Sequence, residues 1–402
     1  MKIAIYHNIP SDGAKRALYE QVKLLSRNHI IDFYYLSSNK ETFLDLRKIT
    51  NKNFCYHFIA VHRFRFFSIL YSISFLIEYV LFLVVGRRIA KDIDSRNYDV
   101  VFIYQCEFSH VTPLTKYLKT KTVLYCQEPW RRFYEPKMYV SSIDPKQDNK
   151  YSNILIYKFL EKIQSPLMLC LKFADRRNIK KAGLVLCNSY YSQEYIKRSY
   201  GVNAEINYLG INEQGFTNLK LLKKNYLLSV GALDVIKGYD FIITACSFIP
   251  KKIRPKLIIL GDRNSRSTIF QYLNKLAKDL AVELEMKKNV DNNELIKYYN
   301  ECKIFVYAPI REPFGLIALE AMACGTPVVG VNEAGLKETI INNINGKLTA
   351  RNAQQFAEAI TLLLQNNTEY SKLASQARNS IIPKFTWEAS VKNLESLFQK
   401  YA

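Results

Sequence analysis

The sequence predicts an α/β protein of two Rossmann-like domains, each built on a parallel sheet, facing each other across a cleft. Three observations predict it. The chain has 402 residues, long for a single domain. Short apolar runs alternate with helix-length stretches, the pattern of a parallel sheet covered on both faces. That alternation occurs twice, interrupted by a polar, poorly periodic stretch at Leu209–Lys224 that reads as a linker. Ligands of such folds bind outside the carboxyl ends of the strands, so two halves of this kind frame a cleft there.

The elements follow in order. Strand-like runs in the first half are Lys2–Tyr6, Ile30–Tyr35, Phe54–Val61, Asp99–Tyr104, Lys121–Tyr125, Gly183–Cys187 and Ala204–Tyr208, with helices such as Ala14–Arg27 and Tyr191–Arg198 between them. Cys126–Lys150 fits neither class and reads as a long polar loop of the kind retained for binding. The second series is Tyr226–Val230, Lys256–Leu260, Val282–Met286, Ile304–Tyr307 and Pro327–Val331. The tail, Thr386–Tyr401, carries Val391, Leu394, Leu397 and Phe398 at helical spacing and is expected to pack back onto a domain. The expected division is 1–210, 225–385 and a C-terminal helix at 386–402.

Composition is that of an ordinary folded protein, 49% hydrophobic and 23% charged. The eight cysteines are scattered with no Cys-x-x-Cys pair, which argues against a metal site and for buried reduced thiols in a cytoplasmic protein. The first residues, MKIAIYHNIP, read as a strand and loop, not as a signal peptide. Net charge is +21, unevenly shared: residues 1–200 hold 32 Lys and Arg against 17 Asp and Glu, the remainder 25 against 19. Such an excess favours an anionic partner: nucleic acid, an anionic membrane or a phosphorylated substrate. A non-enzymatic nucleic-acid binder is motivated by charge alone, which disfavours it.

Phe66–Gly86 (FFSILYSISFLIEYVLFLVVG) has about the length of a membrane span but is interrupted by Glu78, three serines and two tyrosines. A single crossing would leave the strands before and after it on opposite sides of a bilayer. Two placements remain, a buried crossover helix or a helix in the membrane interface flanked by Arg63, Arg65, Arg87, Arg88 and Lys91.

The most informative stretch is Arg311–Gly330, REPFGLIALEAMACGTPVVG. It follows a strand and opens a helix, with Pro313 suited to a first helical turn. Unpaired amides around Phe314, Gly315 and Leu316, with Gly315 permitting close approach, make an anion site suited to a diphosphate. Glu312 and Glu320 bracket it, a helical rise of about 12 Å apart. Carboxylates repel phosphate, so they suit hydroxyls on either side of it, a sugar at one end and a ribose at the other.

This stretch resembles the Glu-x7-Glu signature of retaining glycosyltransferases of the GT-B fold, in particular glycosyltransferase family four. Ser229–Gly238 (SVGALDVIKG) looks like the family's glycine turn with its phosphate-binding lysine, here Lys237 beside Gly231. Asn292–Pro309 resembles the segment leading into the signature, and Asn188-Ser189 with Tyr200-Gly201-Val202 a marker near the end of the first domain. The resemblance implies that Glu312 contacts the donor sugar near its reacting carbon and acts in catalysis. It places Glu320 on the ribose, Phe314, Gly315 and Leu316 on sugar and phosphate oxygens, and Lys237 on the diphosphate. Gly13 would let the first domain close on the same phosphates. The family needs no metal and no cofactor, the nucleotide-sugar being a substrate.

The chain departs from the family pattern twice. Ala232 stands where the family has arginine after the glycine of its phosphate turn, and Arg263, after Gly261-Asp262, is the proposed substitute. YCQEPWRRFYE resembles a loop that often carries histidine where this chain has Gln127. Gln127 and Glu128 then become acceptor-binding candidates, with Arg131 and Arg132 for a phosphate-bearing acceptor and His110 near a strand's carboxyl end. The expected function is transfer of a sugar to a glycan or lipid-linked acceptor in surface-polysaccharide synthesis, at the inner face of the cytoplasmic membrane. The alternative is a soluble transferase with a small sugar or sugar-phosphate acceptor, as in sucrose and trehalose synthesis.

Overall fold

In a computed structural model of the chain, the structure describes residues 1–9, 13–38, 44–58, 68–106, 109–135, 154–261 and 267–402. They form two compact units, the first taking Met1–Pro136, Asn149–Tyr208 and Ser390–Ala402, the second Leu209–Ala389.

The first unit is a seven-stranded sheet of β1 (Lys2–Asn8), β2 (Ile30–Leu36), β3 (Lys52–Tyr56), β4 (Val100–Cys106), β5 (Thr122–Tyr125), β6 (Leu184–Cys187) and β7 (Glu205–Ile206). Their spatial order is β3-β2-β1-β4-β5-β6-β7 and every pairing is parallel. The central strands are buried on both faces, which is why they read as continuous Val/Ile/Tyr runs instead of alternating ones. Helices α1 (Gly13–Leu25), α2 (Ser68–Asp94), α3 (Arg131–Tyr134), α4 (Ile154–Ile179) and α5 (Tyr190–Tyr200) connect the strands. Phe82, Ile89 and Ile93 of α2, Ile179 of α4 and Ile196 of α5 share one core with Tyr6, Tyr34 and Val101 of the sheet, so these three helices cover one face. The other face takes α1, whose Gln21 accepts a hydrogen bond from Tyr104 at 2.5 Å. The C-terminal helix α13 (Trp387–Tyr401) joins it, with Phe398 packed edge-on to Phe102 and Glu395 2.8 Å from His29 Nε2.

The second unit is a six-stranded parallel sheet of β8 (Lys224–Val230), β9 (Lys256–Gly261), β10 (Leu284–Lys288), β11 (Cys302–Tyr307), β12 (Val328–Val331) and β13 (Gly346–Thr349), in the order β10-β9-β8-β11-β12-β13. Its helices are α6 (Tyr239–Phe248), α7 (Ser267–Asp279), α8 (Asn292–Glu301), α9 (Leu316–Ala323), α10 (Leu336–Thr339), α11 (Ala353–Gln365) and α12 (Asn367–Ile381). Both sheets are thus doubly wound. The order reverses between β1 and β4 in one and between β8 and β11 in the other, and the crevice at such a reversal is where these folds take ligands.

Several expectations need correction. Leu209–Lys224 is packed into the second unit: Arg378 donates to the Phe216 and Glu213 carbonyls, and Ile211 bridges Thr386. Strand β13 went unread because GKLT is too short and polar to signal a strand. The strand expected at Phe54–Val61 is β3, Lys52–Tyr56, and residues 59–67 lie outside the described residues. Of the Phe66–Gly86 segment, residues 68–86 are part of α2, a crossover from β3 to β4. Only one of its stripes is buried; Ile77, Val80, Leu81 and Val84 on the opposite stripe are exposed. Among the described residues no helix is long and apolar enough to cross a membrane. Two of the eight cysteines, Cys55 and Cys170, are exposed, contrary to the expectation of buried thiols throughout.

Candidate functional site

At the reversal point of the second sheet two loops meet, one after β8 and one after β11. The β8 loop turns at Gly231, whose φ of 141° is open to glycine alone. A single 3-10 turn, Val235–Lys237, follows, capped by the Asp234 side chain and closed by Gly238 in the left-handed region at φ 65°. Tyr239 Oη donates to the Gly231 carbonyl at 2.9 Å, and Ile310 N donates to the Ile236 carbonyl at 2.8 Å, so the turn is pinned to both sides. A Cβ on Gly238 would lie 2.1 Å from the Ala308 carbonyl oxygen, which shows how closely the two loops approach.

The β11 loop is equally constrained. Arg351, which carried no signal in the sequence, donates to the carbonyls of Ala308 and Pro309 and is itself held by Glu333. Arg311 sits at φ 51°, a left-handed conformation unusual for arginine and of the kind that clusters at functional sites. Gly335 N donates to the Glu312 carbonyl at 2.9 Å. Helix α9 begins at Leu316, later than the sequence suggests; Gly315 is its N-cap at φ 97° and Pro313 precedes the helix. The amides of Leu316 and Ile317 open the helix and have no intrahelical acceptor, as at any helix start.

Lys237 and Glu312 meet here, Nζ to Oε2 at 3.0 Å, with the lysine's stem 3.7 Å from where a Gly231 Cβ would stand. The residues expected around the donor, Gly231, Lys237, Glu312, Phe314, Gly315, Leu316 and Glu320, therefore all belong to these two loops and α9. Phe314 is buried against Phe385, so its backbone and not its ring is what the loop presents. Glu320 is only 6% exposed and accepts a hydrogen bond from Tyr299 Oη at 2.9 Å; a carboxylate buried with a fixed partner is not a solvated helix residue. Arg263 lies outside the described residues.

Sequence reasoning missed Tyr307, the last residue of β11. Its side chain is buried, its ring passes 3.8 Å from the Gly315 Cβ position, and its hydroxyl has no hydrogen-bond partner among the described residues. Burial holds the phenol well above its ordinary range, and the Glu312 carboxylate is the next contributor, with a smaller one from Glu320. A buried hydroxyl whose strongest polar neighbour is the Glu312 carboxylate is placed to donate to that group or to a ligand bound against it. Its position, a tyrosine closing a strand just before the motif, was the available signal.

In the first unit, Gly13 is the exposed first residue of α1, with nothing within 4 Å of its Cβ position. Four acceptor candidates lie on the loop after β5, and His110, on the loop after β4, packs against it. His110, at φ 50°, places Nε2 2.7 Å from the Glu128 carbonyl and stacks on Trp130; burial lowers its pKa to about 4, so the neutral ring donates through Nε2. Its Nε2 is therefore engaged in bracing the loop. Glu128 accepts from Arg131 Nε at 2.7 Å, and Arg131 also lies 4.0 Å from Glu135, so this arginine is committed within the loop. Arg132 is exposed, and the Gln127 Nε2 is buried without a partner among the described residues. A buried carboxylate anchors the assembly: Asp175 accepts from Val111 N at 3.0 Å and Tyr200 Oη at 2.7 Å, and Tyr200 Oη in turn accepts from Trp130 N. Burial pushes the Asp175 pKa up to about 7. The Asn188-Ser189 marker is structural, Ser189 capping α5 and Asn188 accepting from Ser192, with Gly201 ending the helix at φ 70°. Asp92-Ile93-Asp94, an Asp-x-Asp triplet at the end of α2, is spent on Tyr56, Arg96 and Thr120. Among the described residues no cluster of His, Cys, Asp and Glu could hold a metal ion.

Residues 211–380 match the family described as Glycosyl transferases group 1 and carry that domain. An uncharacterised glycosyltransferase of Methanocaldococcus jannaschii is 29% identical over 216 residues, 54% of this chain and 59% of that protein. A D-inositol 3-phosphate glycosyltransferase of Xylanimonas cellulosilytica is 29% identical over 40% of this chain and 39% of its own length. The matches to these curated relatives thus span between about two fifths and three fifths of their lengths. Among solved structures, a sucrose-phosphate synthase from Thermosynechococcus elongatus superposes with a TM-score of 0.73 at 18% identity, covering 100% of this chain and 98% of that one. An Anabaena protein, HepE, solved with UDP and glucose, superposes at 0.69 with 16% identity and full coverage of both chains. At such identities the superpositions show a shared fold, that of two parallel-sheet Rossmann-like domains.

Proposed function

We propose that this chain is a retaining, metal-independent glycosyltransferase that moves a hexose from a UDP- or GDP-linked donor to a glycan or lipid-linked acceptor. Its setting is surface-polysaccharide assembly at the inner face of the cytoplasmic membrane, as a peripheral protein. The observation that carries the donor half is the Lys237–Glu312 pair at the start of α9, opposite a glycine turn. A bare carboxylate would repel a diphosphate; paired with an ammonium it does not. Lys237 and the free amides of α9 stabilise charge that develops on the leaving diphosphate. Glu312 faces the positive charge that develops on the sugar, and Glu320 serves the ribose. The acceptor oxygen bonds to the anomeric carbon as the bond to the diphosphate oxygen breaks, and the acceptor's proton passes to that departing oxygen on the same face. The match of residues 211–380 to the glycosyltransferase group and the UDP bound by the Anabaena neighbour support this reading.

A sugar-phosphate acceptor is the second reading, favoured by the likeness to a sucrose-phosphate synthase and an inositol-phosphate glycosyltransferase. The test is a panel of UDP-, GDP- and dTDP-linked sugars scored for thermal stabilisation and hydrolysis, followed by transfer to lipid-linked and to sugar-phosphate acceptors. Stabilisation by one nucleotide class and turnover onto a lipid-linked acceptor is the expected result. Absence of binding to every nucleotide-sugar defeats the proposal.

A further inference from the structure

Helices α2 and α4 repeat one surface pattern. On α2 the exposed stripe reads Ile77, Val80, Leu81, Val84 and then Arg87, Arg88, Lys91, at spacings of three and four residues. On α4 it reads Pro166, Leu169, Cys170, Phe173 and then Arg176, Arg177, Lys180, at the same spacings. Leu169 is 60% and Phe173 72% exposed, values a core helix does not tolerate without a reason. The two helices pack on each other through Tyr79 and Leu171, with Leu76, Leu83, Met168 and Ala174 around them. Phe82, Ile89 and Ile93 of α2 and Ile179 of α4 enter one core with the sheet, so both helices lie on the same face of it, each with its exposed stripe turned away from these contacts. Each is apolar toward the helix N-terminus and cationic toward the C-terminus.

We infer that α2 and α4 together form a docking face that inserts its six exposed large apolar side chains into an anionic lipid bilayer. The arginines and lysines one to two turns further along meet the headgroup phosphates. The charge pattern selects this occupant. A bilayer offers hydrocarbon with a ring of phosphate around it, which matches an apolar patch followed by cations. A second copy of the chain docking face to face would bring like-charged clusters together, an arrangement that specific interfaces avoid. The excess of basic residues in 1–200 adds long-range attraction of the same sign. The sequence offered only the Phe66–Gly86 segment; the partnership of α4 with α2 on one face of the sheet comes from the structure. The inference deepens the membrane element of the proposed function and does not depend on the identity of the donor.

The experiment is flotation of the full chain with phosphatidylcholine vesicles, with and without phosphatidylglycerol, at low and high salt. Wild type is expected to float with the anionic vesicles and only weakly with the neutral ones. Leu169→Asp/Phe173→Asp on α4, and separately Val80→Asp/Val84→Asp on α2, should each weaken binding at least about tenfold, each doublet removing the burial of two large side chains. Arg176→Ala/Arg177→Ala should weaken binding to anionic vesicles and flatten its salt dependence. The inference is overturned if wild type ignores anionic vesicles, or if both apolar doublets bind like wild type. It is also overturned if the chain forms a lipid-free dimer that these doublets break. Nucleotide-sugar stabilisation measured on the same samples separates the two readings. Vesicle binding without donor binding defeats the transferase proposal alone, and donor binding without vesicle binding defeats this inference and the membrane setting while leaving the sugar transfer standing.

Discussion

Lys237 and Glu312, 75 residues apart in sequence, meet at 3.0 Å between Nζ and Oε2 with side chains only 20% and 17% exposed. The pair joins the turn after β8 to the loop after β11 at the reversal of the second sheet. Its members have different duties in the proposed reaction, so their substitutions should separate. Lys237→Ala should weaken donor affinity by about 10- to 100-fold, the loss of one charge-assisted contact. Titration of the nucleotide-sugar by calorimetry checks it.

Tyr307 supplies a prediction with opposite signs for stability and activity. Its hydroxyl is buried and has no partner among the described residues, so Tyr307→Phe should leave unfolding unchanged or slightly improved. If the hydroxyl donates to Glu312 or to a bound sugar, the same variant should lose kcat by about tenfold, one hydrogen bond. Equal kcat in both proteins would assign the hydroxyl no part in the reaction.

Two glycines of the site should differ in what they tolerate. A Cβ on Gly315 would meet the end of the Leu336 side chain at 2.6 Å, which can shift. On Gly238 it would meet the Ala308 backbone oxygen at 2.1 Å, which Arg351 also holds. Both sit at positive φ, so alanine costs roughly 1–2 kcal/mol at each before any clash. Gly238→Ala should therefore lower the melting temperature of the second unit more than Gly315→Ala, and calorimetry of the two variants gives the order.

Two buried groups that brace the loop after β5, Asp175 of α4 and His110 after β4, carry a hidden pH dependence. Asp175, raised to about 7 in the folded state, is protonated there between about pH 4 and 7 while the unfolded chain is not, so its contribution to stability falls as pH rises through that window. His110, lowered to about 4, is neutral in the fold while the unfolded chain binds a proton below about pH 6.5, so its contribution rises with pH over nearly the same range. The two slopes oppose each other. Asp175→Asn should uncover a first unit that gains stability from pH 4 to 6.5, and His110→Gln one that loses it. Trp130 fluorescence in a Trp387→Phe background follows this unit alone, those being the two tryptophans of the chain.

Much of the fold was legible because buried parallel strands must be continuously apolar, and each of the twelve runs read as a strand overlaps one of β1 to β12. What escaped was short or locally polar: GKLT of β13, and Leu209–Lys224, whose packing depends on Arg378 more than 150 residues away. In the site, Glu312, Gly315 and Lys237 announced themselves by type and spacing. Tyr307 and Arg351 did not, since one is a buried aromatic like any other and the other acts on backbone carbonyls through distance alone. Glu320 was legible as a site residue by its spacing from Glu312, but its burial and its bond from Tyr299 Oη depend on a residue of another helix that the motif does not contain. His110 looked like a ligand-facing histidine and instead spends its ring nitrogen on the loop.

The most direct measurement compares wild type with Glu312→Gln for release of nucleotide from the donor that stabilises the protein, with folding checked by circular dichroism and donor binding by thermal shift. The account predicts that Glu312→Gln stays folded, because the isosteric amide oxygen still accepts from Lys237, and that it transfers no sugar. Turnover by Glu312→Gln at the wild-type rate would contradict it.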